Sequence, residues 1–253
     1  VSSIRITIAD GVQVIRICRP EKKNALTGAM YAEISDALSG GDADPAVGVH
    51  VFLGQPGCFS AGNDISDFLS GPAGAAAALT FVRQLPFVLK PIVAAVDGLA
   101  VGIGTTLLFH CDLVYASQEA RFQTPFLDLG LVPEAGSSLL APRLMGHARA
   151  FELLVLGETF DATHAAEAGL VNRIVPAQEL EAHAMAAAMR LASKPPEALR
   201  LSRQLLRGDP AELDKRVTRE AELFEARLST PEAREAFAAF LAKRPPNFRK
   251  GET

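Results

Sequence analysis

The sequence predicts an α/β fold, and three observations carry that expectation. Apolar runs with strand character, Val49–Leu53 and Ile92–Val96, alternate with stretches of helical period. Segments 59–65 and 97–106 repeat one arrangement, a strand, a glycine turn and the start of a helix. Beyond Pro176 the strand signals cease and the pattern becomes almost wholly helical.

Residues 4–8 and 12–17 alternate or run apolar on either side of Asp10-Gly11, a dipeptide suited to a two-residue turn, so they read as a hairpin. Thr27 opens an amphipathic helical stretch to Leu38, and Val49–Leu53 reads as a buried strand. The small-residue run 71–78 reads as a mobile flap leading into a helix that Pro86 and Pro91 stop. Ile92–Val96 is the next strand, and the apolar helix after the second glycine turn should end near Cys111-Asp112. Helices are expected over 180–191, 196–206, 211–228 and 231–241. Helices that follow a strand-rich core form a separate layer.

With 253 residues and no repeat or low-complexity linker, one main domain is expected. A net charge of -4 argues against a nucleic-acid surface. No apolar run approaches the ~20 residues that span a bilayer, and the first residues lack signal-peptide character, so a cytoplasmic protein without membrane attachment is expected. The terminal Gly-Glu-Thr is not a peroxisomal address. Cys18, Cys58 and Cys111 lack CxxC spacing, which predicts three buried free thiols rather than disulfides or a zinc site. His110 has no partner acid or nucleophile at a useful spacing, and nothing points to a metal.

Candidate chemistry lies in three places. Gly62-Asn63-Asp64 and Gly102-Ile103-Gly104 put glycine-flanked turns at helix starts, where backbone N–H groups are free and the helix dipole is positive. A single glycine turn of this kind is explained by tight turning alone. The Asn63 side chain reads as a turn-former, Asp64 as a helix-start residue, and Asp112 and Asp128 as structural hydrogen-bonding groups, Asp128 being a reserve acid. Pro133-Glu134 reads as N1 and N2 of a helix, where a glutamate favours the dipole without any catalysis. Burial beside Phe126 and Leu127 would raise its pKa and the helix start would lower it.

The run Arg19-Pro-Glu-Lys-Lys-Asn-Ala-Leu-Thr27, the segments SAGNDI (60–65) and DGLAVGIGTT (97–106), TPFLDLGLVPEAGSS (124–138), AAEAGLV (165–171) and FLAKRPPNF (240–248) occur in this order over almost the whole chain. Together they resemble the enoyl-CoA hydratase/isomerase (crotonase) superfamily, and SAGNDI with TPFLDLGLVPEAGSS is most similar to its peroxisomal-type Δ3,Δ2-enoyl-CoA isomerases. The resemblance implies a crotonase spiral of ββα units with a C-terminal helical layer. It divides the chain into a core at 1–195 with an acyl-CoA site and a trimerisation region at 196–253, assembled as a homotrimer or a dimer of trimers. It implies oxyanion donors in the backbone N–H groups of Asn63 and Ile103. Hydratases of the superfamily use two glutamates at the positions held here by Thr106 and Phe126, neither of which exchanges protons near neutral pH. Glu134 matches the single base of the isomerases.

Substrate contacts are implied at Lys22, Ala25, Ser60, Ala61, Gly62, Asp64, Ile65, Gly102, Thr106, Phe126 and Leu131, with Lys22, Lys23, Asn24 and Leu26 on the loop that approaches coenzyme A. A solvated surface turn is the alternative for either lysine, and packing or surface roles are the alternatives for Phe240 and Lys243, which match a ligand-contacting helix position. The expected reaction is the 3-enoyl to 2-trans-enoyl shift of fatty-acid oxidation, with no cofactor beyond the coenzyme A of the substrate. Enoyl-CoA hydration, isomerisation of a ring-derived acyl-CoA, and non-catalytic acyl-CoA binding are the alternatives.

Overall fold

The computed structural model describes residues 2–69 and 72–248. The chain opens as a hairpin in which β1 (Ile4–Ala9) and β2 (Val12–Ile17) pair antiparallel, with Ala9 opposite Val12. Asp10 and Gly11 make the turn with φ of 52° and 76°, the left-handed pair that matches strand twist in a two-residue hairpin. Thr27 caps α1 (Gly28–Ala43) by accepting the Met30 N–H on its hydroxyl. The helix continues past Leu38 because Gly41 can lie against the sheet, where a Cβ would come within 2.2 Å of Gln13 Oε1.

The chain then repeats a three-part pattern. A strand of one sheet is followed by a strand of a second sheet and then by a helix: β3 (Val49–Leu53), β4 (Cys58–Ser60), α2 (Ile65–Leu69) and α3 (Pro72–Gln84); β5 (Ile92–Val96), β6 (Leu99–Val101) and α4 (Ile103–Thr106); β7 (Leu113–Ala116), β8 (Arg121–Gln123) and α5 (Ser137–Phe151). Then follow β9 (Phe160–Asp161), α6 (Ala162–Glu167), β10 (Arg173–Ile174) and α7 (Ala177–Ala192). Among the described residues the first sheet has the order β1-β2-β3-β5-β7-β10 and the second β4-β6-β8-β9. From β2 to β10 the first sheet is parallel, and β4, β6 and β8 are parallel in the second. Each repeat therefore adds to the same edge of both sheets, which is the expected spiral of ββα units.

Strands β3 and β5 are buried along their whole length and, His50 apart, apolar, because both faces of the sheet are covered. Phe52, Ile92, Ala94 and Val96 join the core shared with Tyr31, Ile34 and Leu38 of α1. Val49, Val51, Val93 and Ala95 pack on the other side against Leu180, Ala184 and Ala188 of α7. Three local expectations need correction. Gly71 of the presumed flap lies outside the described residues, and from Pro72 onward the small-residue run is helix, since alanine favours helix when nothing interrupts it. The apolar helix expected up to Cys111 is one turn of α-helix that tightens to a 3-10 turn over Leu107–His110. Cys18, Cys58 and Cys111 are free thiols but half-buried, because they sit at the ends of elements rather than inside the core.

The remaining helices, α8 (Pro196–Arg207), α9 (Pro210–Leu228) and α10 (Pro231–Leu241), fold back on this core. No described helix is long and apolar enough to cross a membrane. Asp112 fastens α8: its carboxylate accepts from Arg203 Nε at 2.8 Å, from Arg207 Nε at 2.9 Å and from the Ile92 N–H at 2.8 Å. Arg203 also donates to Val88 O and Arg207 to His110 O, so both guanidinium groups are held at each end. Replacing Asp112 by alanine leaves two half-buried cations without their anion and should lower stability by about 2–4 kcal/mol. Urea unfolding at neutral pH measures this, and a loss under ~1 kcal/mol would mean that apolar packing holds α8 unaided.

Candidate active site

Strands β4 and β6 are parallel neighbours, and each ends in a glycine turn. Gly62 has φ 88° and Gly102 has φ 56° with ψ -122°, conformations that side chains disfavour. The turns also touch: a Cβ on Gly62 would lie 2.9 Å from Val101 O, and one on Gly104 would lie 2.8 Å from Ser60 O. Asn63 and Ile103 follow these turns, and among the described residues neither backbone N–H donates a hydrogen bond. Ile103 heads α4, where the first amides have no intrahelical partner. The arrangement leaves two open donors at the ends of adjacent strands.

The loop 19–27 braces the first of these turns. Asn24 accepts the Arg19 N–H at 2.7 Å and donates its amide to Cys58 O at 2.9 Å and Phe59 O at 3.1 Å. Ser60 Oγ donates to Asn24 O at 3.0 Å and accepts the Gly62 N–H, and Leu26 bridges to Asn63 as a short parallel pair. The side chain of Asn63, read from sequence as a turn-former, instead accepts a hydrogen bond from the buried Tyr31 hydroxyl.

Glu134 reaches the same place from the other side. It is not at N1 or N2 of a helix: α5 begins at Ser137, and Ala135 (φ 57°) and Gly136 (φ 71°) form a left-handed pair between them. Pro133 does not extend the helix backwards because that pair reverses the chain direction. The reversal separates Glu134 from the helix end, and its carboxylate accepts from the Thr106 hydroxyl at 2.5 Å. Burial pushes its pKa up to about 8; the Thr106 hydrogen bond opposes this and the nearby Glu220 carboxylate adds to it. The open amides of α5 are taken by Glu220, which accepts from the N–H groups of Gly136 and Ser138. Of the two opposing effects on Glu134 expected from sequence, the helix-start effect is thereby removed and burial prevails.

A cavity of about 390 Å³ joins these groups. Asn63, Ile103 and Glu134 line it, as do Ala61, Gly62, Ile65, Gly102, Phe126 and Leu131 of the expected substrate contacts. Asp128 and Phe240 border it as well, whereas Lys243 does not. Ser60 and Thr106 are fully buried and do not line the cavity: Ser60 Oγ bonds the loop at Asn24, and Thr106 reaches the site only through its hydrogen bond to Glu134. Asp64 accepts from Arg19 Nη1 at 2.7 Å and caps the start of α2 through Ser66 and Asp67. Lys22 is exposed on a one-turn 3-10 segment, and Ala25 offers its carbonyl to Arg19, so neither reaches the cavity. Tyr31, Glu220, Phe224 and Arg244 were missed. Tyr31 shares a smaller pocket of about 60 Å³ with Asn63, Glu134 and Phe224, while Phe224 and Arg244 border the larger one. Glu220 carried a readable signal, since it is a lone acid between Val217, Ala221 and Phe224 on the inward face of α9.

The raised pKa has a consequence for folding. Between the ordinary value of 4.5 and about 8, the folded chain holds one proton more than the unfolded chain, so this group makes stability fall as pH rises through that window. Glu134→Gln removes the dependence. Relative to the parent, the variant should gain about 3–5 kcal/mol between pH 5 and pH 9 in urea unfolding. A constant difference across that range would contradict the burial of an ionisable carboxyl.

The family model for enoyl-CoA hydratase/isomerase matches residues 7–251. Enoyl-CoA delta isomerase 2 of Rattus norvegicus is 37% identical over 251 residues, covering 96% of this chain; the chain spans 64% of that protein's length. The "Probable enoyl-CoA hydratase" of Mycobacterium leprae (strain TN) is 35% identical over 248 residues, 95% of this chain and 96% of its own. A solved enoyl-CoA hydratase/isomerase from Pseudoalteromonas atlantica T6c superposes with a TM-score of 0.91 at 39% identity, covering 98% of this chain and 100% of the other. Both the spiral and the residues along it are thus shared, and the chain belongs to the enoyl-CoA hydratase/isomerase family.

Proposed function

We propose that this enzyme moves the double bond of a 3-enoyl-CoA to give the 2-trans-enoyl-CoA, as in fatty-acid oxidation. The observation that carries the reading is the pairing, in one cavity, of a single buried carboxylate with two open backbone donors; the resemblance adds that Thr106 and Phe126 hold the positions at which hydratases of the superfamily carry glutamates. With the thioester oxygen on the N–H groups of Asn63 and Ile103, Glu134 takes a proton from C2. The electron pair delocalises through the thioester carbonyl as a dienolate, and the two amides stabilise the charge on its oxygen. Glu134 then returns the proton to C4 and the double bond settles between C2 and C3. Phe126 and Leu131 keep that part of the cavity apolar, which disfavours attack by water. No cofactor is needed, because the thioester itself supplies the electron sink.

Glu134 must be ionised to accept the first proton, so kcat/KM should rise with pH and level off above about 8, falling about tenfold per pH unit below it. Glu134→Gln should lose about 10²–10⁴ of the rate while still binding a saturated acyl-CoA. Absorbance of the conjugated product, followed with a medium-chain 3-enoyl-CoA, measures both. Full turnover in the variant would overturn the assignment, and water addition to 2-enoyl-CoA at a higher rate would favour hydration.

Assembly as a homotrimer, or a dimer of trimers, is supported by an apolar strip on α8. Leu205 and Leu206 are 84% and 89% exposed, and Leu206 borders a groove with Phe87, Leu89 and Leu144, themselves exposed. The Leu205→Asp, Leu206→Asp double variant should run as a monomer in light scattering; a parent protein already monomeric at micromolar concentration would defeat the idea.

A further inference from the structure

Glu220 is a second buried carboxylate beside the site, on a different element from the base and outside the chemistry just described. It lies on α9 and is 5% exposed. Its Oε2 accepts the Gly136 N–H at 2.6 Å, and its Oε1 accepts the Ser138 N–H at 2.9 Å and the Ser138 hydroxyl at 2.5 Å. Burial raises the pKa of Glu220 above the ordinary carboxylate value, and every one of these partners donates, so that the hydrogen bonds, with the nearby Arg216 guanidinium, oppose that rise and favour the ionised form. Arg216 approaches from the solvent side, donating to Ser138 Oγ at 3.2 Å.

We propose that Glu220 is a positioning residue that keeps Glu134 a strong base by occupying the N-terminus of α5 in its place. The catalytic meaning of this rests on the isomerase reading; the electrostatics do not. Glu134 is only three residues ahead of Ser137, and without a competing anion its carboxylate would be drawn to the open amides of the helix. With Glu220 there, the helix end is already satisfied, and it carries a negative charge whenever Glu220 is ionised. Glu134 is left to Thr106 and the cavity, and the neighbouring charge holds its proton affinity up.

The packing around α9 makes the placement specific. A Cβ on Gly136 would fall 2.5 Å from Leu213 Cδ1 and 3.3 Å from Val217 Cγ2, so α9 presses directly on the turn that separates the two acids. Ser137 closes the turn from within, donating its N–H and hydroxyl to Glu134 O at 3.1 and 2.6 Å. The other polar groups facing Glu134 and this turn leave the competition to Glu220. Tyr31 of α1 is a buried phenol whose own pKa is raised by burial and by Glu134, so it stays neutral. His110 contacts Ala135 O through Nε2 at 2.6 Å and, with its pKa lowered to about 4 by burial, is neutral too. Glu225 of α9 borders the smaller pocket, Asp128 and Arg244 border the larger one, and α3 presents Ala78, Leu79 and Val82.

The test is to label glutamate carboxyl carbons with ¹³C, assign Glu134 by its loss in Glu134→Gln, and follow its titration in the parent, Glu220→Gln and Glu220→Asp. Glu220→Gln should lower the Glu134 midpoint by at least ~0.5 pH unit, and Glu220→Asp, which keeps the charge, should restore most of the difference. The pH midpoint of kcat/KM should move by the same amount and direction. An unchanged Glu134 midpoint in a folded Glu220→Gln protein would overturn the proposal, since a purely structural cap would alter stability alone. A midpoint that shifts in a protein with no turnover on 3-enoyl-CoA would uphold it and count against the isomerase reading instead.

Discussion

The close approach of two glycine turns, Gly62 beside Val101 and Gly104 beside Ser60, is the constraint on which the rest of the site depends. Parallel pairing of β4 with β6 brings the ends of successive repeats together, and the absence of Cβ atoms lets the backbones touch. The amides of Asn63 and Ile103, neither of which donates a hydrogen bond among the described residues, are thereby brought to the ends of adjacent strands. Because the donors belong to the backbone, the side chain at 103 is free to be isoleucine and to pack in the core. A rigid sheet holds them before any ligand arrives, which is what makes preorganised donors effective against developing charge.

The carboxylate opposite them is placed by a different device. A left-handed pair of residues, Ala135 and Gly136, breaks the approach to α5 and turns Glu134 away from the helix end that its sequence position suggested. Burial then raises its proton affinity, and the single hydroxyl of Thr106 only partly offsets this. In the proposed reaction the balance matters because a carboxylate with an ordinary pKa would be a weak base toward a carbon acid. Phe126, itself buried, makes its side of the cavity apolar.

The C-terminal helices are more than a cover. α8 is tied to the core through Asp112, while α9 supplies Glu220 and Phe224 and α10 supplies Phe240 to the neighbourhood of the site. Sequence reading marked these helices nearly to the residue, since their apolar periodicity and their Pro starts are local properties. It named Phe240 on the last of them through the family resemblance, but neither Glu220 nor Phe224. The partner of Glu220 is 84 residues away along the chain for Gly136 and 82 for Ser138, and no local pattern encodes a pairing of that separation. Tyr31 was missed for the same reason: it looks like any buried aromatic on an amphipathic helix until Asn63 is seen against its hydroxyl.

By itself the sequence determined the alternation of elements, the hairpin at Asp10-Gly11, the two glycine turns and, through its resemblance to a known family, part of the set of residues that line the cavity. The first three follow from backbone preferences and periodicity, which act over a few residues at a time. Only the tertiary structure decided that Ser60, Asp64 and Thr106 brace the frame instead of lining the cavity, and that Glu220, not Glu134, closes the start of α5. The physical reason is that burial and electrostatic competition depend on which distant groups come within a few ångströms, a property of the packed chain and not of any segment of it.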